Sequence, residues 1–106
     1  MKAASIHLSE LAINDILEQA NWYESRSYEK LAKRWQRAVT STLARIRRTP
    51  NAGSSCRFSA AELLGTRRVP VSGFPKHLIF YKVEGREVFV LRVIHGARDL
   101  ENLFAG

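Results

Sequence analysis

The chain has 106 residues and a mass of 12.0 kDa, with 45% hydrophobic and 25% charged residues. That is the composition of one globular domain over residues 1–106, long enough to bury a core and too short for two. Seventeen Lys and Arg against ten Asp and Glu leave a net charge of +7, and the single Cys56 excludes an internal disulfide and a cysteine-based zinc site.

No apolar run approaches a membrane span; the longest, Val88 to Leu91, stops at Arg92. The first residues lack the apolar core of a secretory signal, so the expectation is a soluble cytoplasmic domain with no membrane partner. The charge is unevenly placed. Residues 1–25 carry a net of −3, residues 26–68 a net of +9 and residues 69–106 a net of +1. A basic stripe of this kind attracts nucleic acid or an acidic protein through the same field, and it also suits a solvated helix face.

Ser5 to Leu8 reads as a short first strand, with Ser9 placed to cap a helix. In that helix Leu8, Leu11, Ala12, Ile16, Ala20 and Tyr23 form one stripe. Ile13, Leu17 and Trp22 lie off its centre and predict contact with more than one neighbour. Ser27 reads as the cap of a second helix, on which Leu31, Trp35, Val39, Leu43 and Ile46 recur at helical spacing. The opposite face carries Lys30, Lys33, Arg34, Arg37, Arg45 and Arg48, and Thr49-Pro50 ends the helix. Two helices joined by about three residues predict an antiparallel hairpin.

Beyond Pro50 the period changes. Residues 51–55 read as loop, and Ala60 to Gly65 suits either a helical turn or a strand entry. Arg67 to Val71 alternates, with Pro70 predicting an edge position or a strand end. Ser72 to Pro75 reads as a turn. His77–Val83 and Glu87–Ile94 read as a hairpin through Glu84-Gly85-Arg86. In its second strand Phe89, Leu91 and Val93 are expected on the helices and Arg92 on the open face. A short helix is expected over Ala97 to Phe104. The order is β-α-α-β-β-β, an α+β fold with a helical hairpin packed on an antiparallel sheet.

Phosphate loops, dinucleotide fingerprints, zinc-protease motifs and nucleophile elbows are absent from the sequence. His7, His77 and His95 are too scattered to predict a metal site, and no cofactor is expected. Cys56 reads as inert. Trp22 and Trp35 read as core residues. Arg67, Arg68, Lys76, His77, Tyr81, Arg92, His95 and Arg98 remain as a polar set in the sheet half. Arginines at strand ends bind phosphate bidentately, and a histidine beside them can transfer protons in phosphodiester cleavage. The structural alternative pairs Arg92 with a carboxylate such as Glu62 or Asp99, with His95 capping a turn.

Several stretches carry a resemblance over nearly the whole chain. They are Ala12-x-x-Asp15-Ile16 leading to Trp22-Tyr23-Glu24, then Leu31, Trp35, Val39, Leu43, Ile46 and Pro50. Phe74-Pro75-x-x-Leu78-Ile79-Phe80-Tyr81 and Val90-Leu91-Arg92-Val93-Ile94-His95-Gly96-Ala97-Arg98-Asp99 follow. In this order and spacing the chain resembles the ParE/RelE superfamily of toxins from bacterial type II toxin–antitoxin modules. The resemblance implies a toxin that arrests growth unless neutralised by a cognate antitoxin. ParE-like members inhibit DNA gyrase and are not known as nucleases, whereas RelE-like members cut mRNA on the ribosome. No tyrosine follows Tyr81, and the His-Gly-Ala-Arg-Asp ending looks more like the ParE branch. On the RelE alternative Arg92, His95, Arg98 and Arg67 would carry catalysis. Either branch implies an acidic, partly disordered antitoxin folding along the helix hairpin and sheet, with Lys30, Arg34, Arg37 and Trp35 as contact residues.

Overall fold

A computed structural model describes residues 3–96. The expected helix over Ala97 to Phe104 lies outside the described residues. Strand β1 (Ser5–Leu8) leads into helix α1 (Glu10–Ser25), and helix α2 (Glu29–Arg48) follows after a tight turn. A 3-10 turn at Pro50–Ala52 and the two-residue strand β2 (Ser54–Ser55) come next. A second 3-10 turn at Ala61–Leu63 resolves the ambiguity at Ala60 to Gly65 in favour of a helical turn. Strands β3 (Arg67–Val71), β4 (Phe74–Glu84) and β5 (Glu87–His95) complete the described chain.

Ser9 begins α1 as its pattern predicts: its Oγ accepts from Ala12 N at 3.0 Å. The same hydroxyl donates to Leu91 O at 2.8 Å, so one side chain caps the helix and ties it to β5.

Ser27, the expected cap of α2, has another task. Its φ is +63°, its N–H donates to Glu24 O, and the N–H of Tyr28 donates to Tyr23 O. These are the paired bonds of a Schellman ending, with Ser27 in the left-handed position usually held by glycine. Its backbone therefore closes α1, and α2 opens at Tyr28 without a side-chain cap.

The sheet runs β1-β5-β4-β3-β2. Three of its four pairings are antiparallel, but β1 lies parallel to β5, with Ser5 opposite Glu87 and Leu8 opposite Val90. The sheet is therefore mixed where an antiparallel one was expected. No hairpin joins β1 to β5, so nothing forces them to be antiparallel, and β1 covers part of an otherwise bare edge. Strand β2, read as loop from the sequence, pairs only with Arg67 and Arg68. Pro70 lies beyond its reach, so the missing N–H costs no ladder bond there. The turn before β4 is confined to Ser72 and Gly73, because Phe74 and Pro75 already belong to the strand.

The main core lies between the helices and one face of the sheet. Ala12, Ala20, Tyr23, Trp35, Val39 and Ile46 pack against Val71, Ile79, Tyr81, Val88, Val90 and Val93. Trp35 is completely buried, and its Nε1 donates to Ile16 O at 3.0 Å. Thr42 adds a polar link: its Oγ1 donates to Ala38 O and accepts from Ser72 N. On the other sheet face, Phe80 and Ile94 form a small second cluster with Leu78, Phe58 and Cys56.

Strand β5 departs from strict alternation. Phe80 pairs with Arg92 and Tyr81 with Val90, so Leu91 is skipped in a bulge. Before the bulge Val88 and Val90 enter the main core, while Phe89 stacks on His7. After it Val93 rejoins the core. The expectation that Phe89 and Leu91 face the helices fails because one extra residue shifts the phase of the strand.

The Schellman turn predicts that Ser27→Gly stabilises the fold by about 0.5–1 kcal/mol, because glycine enters the left-handed region without Cβ strain. Urea denaturation measures it; an unchanged or lower midpoint would contradict this account of the turn.

Candidate functional site

Two arginines of the predicted catalytic set are held in internal bonds. Arg92 donates from Nε to Asp15 Oδ2 and from Nη2 to Asp15 Oδ1, both at 2.8 Å. The same carboxylate accepts from Val93 N at 3.0 Å, and the two side chains are 9% and 8% exposed. The hydrogen bond to Asp15 raises the guanidinium pKa, against the opposing effect of burial; the charges of Asp15 and Glu18 add to the rise. Arg92 does stand on the sheet face opposite the main core, across from Phe80, but its guanidinium is buried against Asp15 instead of projecting into solvent. The structural alternative expects a carboxylate partner; among the described residues that partner is Asp15 and not Glu62, while Asp99 lies outside the described residues. Asp15 belongs to the Ala12-x-x-Asp15-Ile16 stretch of the resemblance without a role assigned to it there; it lies three residues from the buried Ala12, and an acid on the apolar side of a helix signals a buried cation.

Arg67 donates from Nη1 to Asn51 O at 3.1 Å and to Gly53 O at 2.8 Å. Tyr81 reinforces the same loop: its hydroxyl donates to Pro50 O at 2.7 Å and accepts from Gly53 N at 3.1 Å. Burial raises the Tyr81 pKa, opposed by the Gly53 bond and by Arg67. A Cβ on Gly53 would collide with the Tyr81 hydroxyl, so the loop passes there only as glycine.

Arg67 and Arg92 stand on β3 and β5 with β4 between them, about 10 Å apart by strand spacing. Their guanidiniums engage different elements. His95 lies opposite His77 in the ladder, with ring centroids 5.6 Å apart, and His77 meets Trp35 at 4.9 Å. Arg98 lies outside the described residues. The described members of the set thus do not converge on one point. A cleft of about 320 Å³ does form beside His77 and His95, lined also by Glu18, Gln19 and Trp22. Among the described residues no group of three His, Cys, Asp or Glu could hold a metal ion. At Cys56 burial raises the thiol pKa, only partly offset by Arg68.

The predicted basic face is present on α2. Lys30, Lys33, Arg34, Arg37, Arg45 and Arg48 are all exposed. Among the described residues the ion pairs are His7–Glu87 and Arg92–Asp15, and neither involves this face. At its N-terminal end Lys30 and Arg34 share an open cavity of about 510 Å³ with Tyr28 and Leu31. The Arg34 guanidinium stands 5.9 Å from the Phe74 ring. Trp35 belongs to none of this. It faces the core, and a fully buried indole presents no surface to a partner, so the contact expected of Trp35 is not available to its side chain.

Sequence periodicity also misplaced several apolar residues. Leu11, Leu17 and Trp22 are 49%, 50% and 48% exposed, and Ile13 is similar. Helix α1 does meet two neighbours, α2 and β5, but these four side chains stay about half exposed on its outer side. Trp22, expected in the core, instead carries the Arg26 guanidinium 4.3 Å from its ring centroid.

Two measurements test this description. Asp15→Ala leaves the Arg92 guanidinium buried without its counter-charge, for an expected loss of about 3–5 kcal/mol in chemical denaturation. A loss below about 1 kcal/mol would mean that the pair is solvated. For His77, burial lowers the pKa below 6.5, and the charge of His95 acts in the same direction. The unfolded chain then binds the proton more readily, so this contribution disappears as pH falls through and below about 6.5. Thermal denaturation is expected to show a midpoint falling between about pH 7.5 and pH 5, and His77→Phe should flatten that slope.

Residues 6–100 match the family described as ParE toxin of type II toxin-antitoxin system, parDE. A solved structure of the chromosomal ParDE toxin-antitoxin system from P. aeruginosa superimposes with a TM-score of 0.70 at 15% sequence identity. The alignment covers 88% of this chain and 96% of that one, and at this identity it speaks for the fold. No curated protein sequence matches the chain. With most of its length matched by the family and its fold shared with a ParDE structure, the chain belongs to the ParE toxin family of type II toxin–antitoxin systems.

Proposed function

We propose that this chain arrests bacterial growth by inhibiting DNA gyrase, and that an acidic antitoxin neutralises it by docking on the N-terminal half of α2. Gyrase inhibition is the general role of the family, and membership supports it here. The observation that carries the choice over mRNA cleavage is the commitment of Arg92 to Asp15. A guanidinium held by both carboxylate oxygens in a buried pair is poorly placed to bind a scissile phosphate. Arg67 is similarly occupied by two backbone carbonyls.

The antitoxin surface is supported by the combination at the start of α2. Lys30 and Arg34 offer charge, Tyr28 and Leu31 offer apolar contact in the same cavity, and Arg37 continues the stripe one turn further. An amphipathic acidic segment satisfies both components at once. The parDE description and the ParDE structure support a partner of this kind.

Induction of the chain alone in a bacterial host, with primer extension and a supercoiling assay in parallel, tests the target. Intact messages with inhibited supercoiling are expected; early cuts within translated messages would overturn the gyrase reading. Combined Lys30→Ala, Arg34→Ala and Arg37→Ala substitutions should weaken antitoxin binding about 10–100-fold by calorimetry, more at low salt than at high. An unchanged affinity would place the antitoxin elsewhere.

A further inference from the structure

The proposed antitoxin site uses the beginning of α2 and leaves its end unexplained. Around that end five arginines gather from three parts of the chain. Arg45, Arg47 and Arg48 come from the last turn of α2, Arg68 from β3 and Arg86 from the β4–β5 turn, and all five are exposed. Arg47, Arg48 and Arg86 line one cavity of about 420 Å³ beside Pro50. Arg45 and Arg68 line a second of about 200 Å³, together with Thr49 and Ser54.

None of the five has a carboxylate partner among the described residues. Arg47 donates from Nε to Ala4 O, and Glu87, which follows Arg86, is engaged by His7. Glu84, on the other side of the same turn, makes no ion pair among the described residues. Favourable charge at a helix C-terminus accounts for some basic residues in the last turn of α2. It does not account for Arg68 and Arg86, which come from the sheet.

We infer that this arginine-lined end of the molecule binds the phosphate backbone of duplex DNA. Guanidiniums take phosphate oxygens in pairs, and here all five bases are arginine, with no lysine in either cavity lining. The two linings contain no aromatic residue. A single strand is held largely by bases stacking on aromatic rings, so this surface suits a duplex, whose phosphates face outward and whose bases are already stacked. Contacts of this type carry no base information, so binding is independent of sequence. The inference does not depend on gyrase being the target.

The test is fluorescence anisotropy with the full chain and a labelled duplex of arbitrary sequence, about 20 base pairs long, over a salt series. Four to five phosphate contacts give a slope of log K against log salt of about −3.6 to −4.5, or roughly 150–500-fold weakening between about 50 and about 200 mM salt. The combined variant Arg45→Ala, Arg48→Ala, Arg86→Ala leaves one or two contacts and is expected to bring the slope to between about −1 and about −2 and weaken binding at low salt by about 30-fold or more. Its affinity for the antitoxin should be unchanged, which also reports that it is folded. Salt-independent binding by the native chain would overturn the inference without reference to any variant. So would native-like DNA binding by the variant, or tighter binding of a single-stranded RNA of matching length. Loss of antitoxin affinity with DNA binding retained would assign these arginines to the protein partner instead.

Discussion

The fold turns on one buried carboxylate. Strand β1 ends at Leu8 opposite Val90, which leaves the outer edge of β5 without a strand partner from there onward. Helix α1 takes over that edge with polar groups: Ser9 Oγ donates to Leu91 O, and Asp15 accepts from Val93 N. Arg92 then neutralises Asp15 through two further bonds. Desolvating this pair is costly, and the cost is offset because the carboxylate receives three donors in good geometry. The bulge at Leu91 lies within the same few residues, where β5 passes from strand cover to helix cover. With α1 fixed, the bond from Trp35 Nε1 to Ile16 O and the apolar packing around it set the position of α2.

A second consequence concerns the arginines. Their chemistry is the same throughout, but the fold sorts them into two classes. Arg92 and Arg67 are spent inside, one on a helix carboxylate and the other on the carbonyls of the loop after α2. Those of α2 are exposed and without ion pairs among the described residues, and Arg68 and Arg86 extend the positive surface to the sheet end. The internal bonds occupy Arg92 and Arg67, two of the arginines expected from the sequence to meet phosphate. The external set leaves a strong, uncompensated field available to anionic partners. In this way an internal stability device bears on which partners the toxin can recruit.

The exposed apolar side of α1 belongs with this division. Leu11, Leu17 and Trp22 are each about half exposed, while the acids Glu10, Glu18 and Glu24 stand on the same helix. The outer surfaces of the hairpin thus differ in kind. One is mixed apolar and acidic, the other almost purely basic. A partner that covers both helices must be amphipathic in more than one sense, which a segment folding on contact can satisfy more readily than a rigid surface.

Much of the architecture was legible because it is written in local periodicity. Trp35, Val39, Thr42 and Ile46 fall on one side of a helix at their spacing alone, and the basic residues necessarily occupy the other. Ser9 announces α1, Pro50 ends α2, and the hairpin of β4 and β5 follows from two apolar runs around Gly85. The family resemblance was carried by the same runs. What the sequence could not determine depended on residues far apart in the chain meeting in space. The partner of Arg92 lies 77 positions away, and the parallel pairing of β1 joins the first strand to the last. The bulge that reverses the faces of β5 appears only when the register with β4 is known, since one skipped residue leaves no mark on composition. Ser27 reads as a helix cap until its backbone is seen closing the preceding helix. Local pattern decided which residues form helices and strands, because φ/ψ preference and hydrophobic period are properties of neighbours. Tertiary structure alone decided which charges are buried and which are free, because pairing and desolvation depend on what each charge meets once the chain is folded.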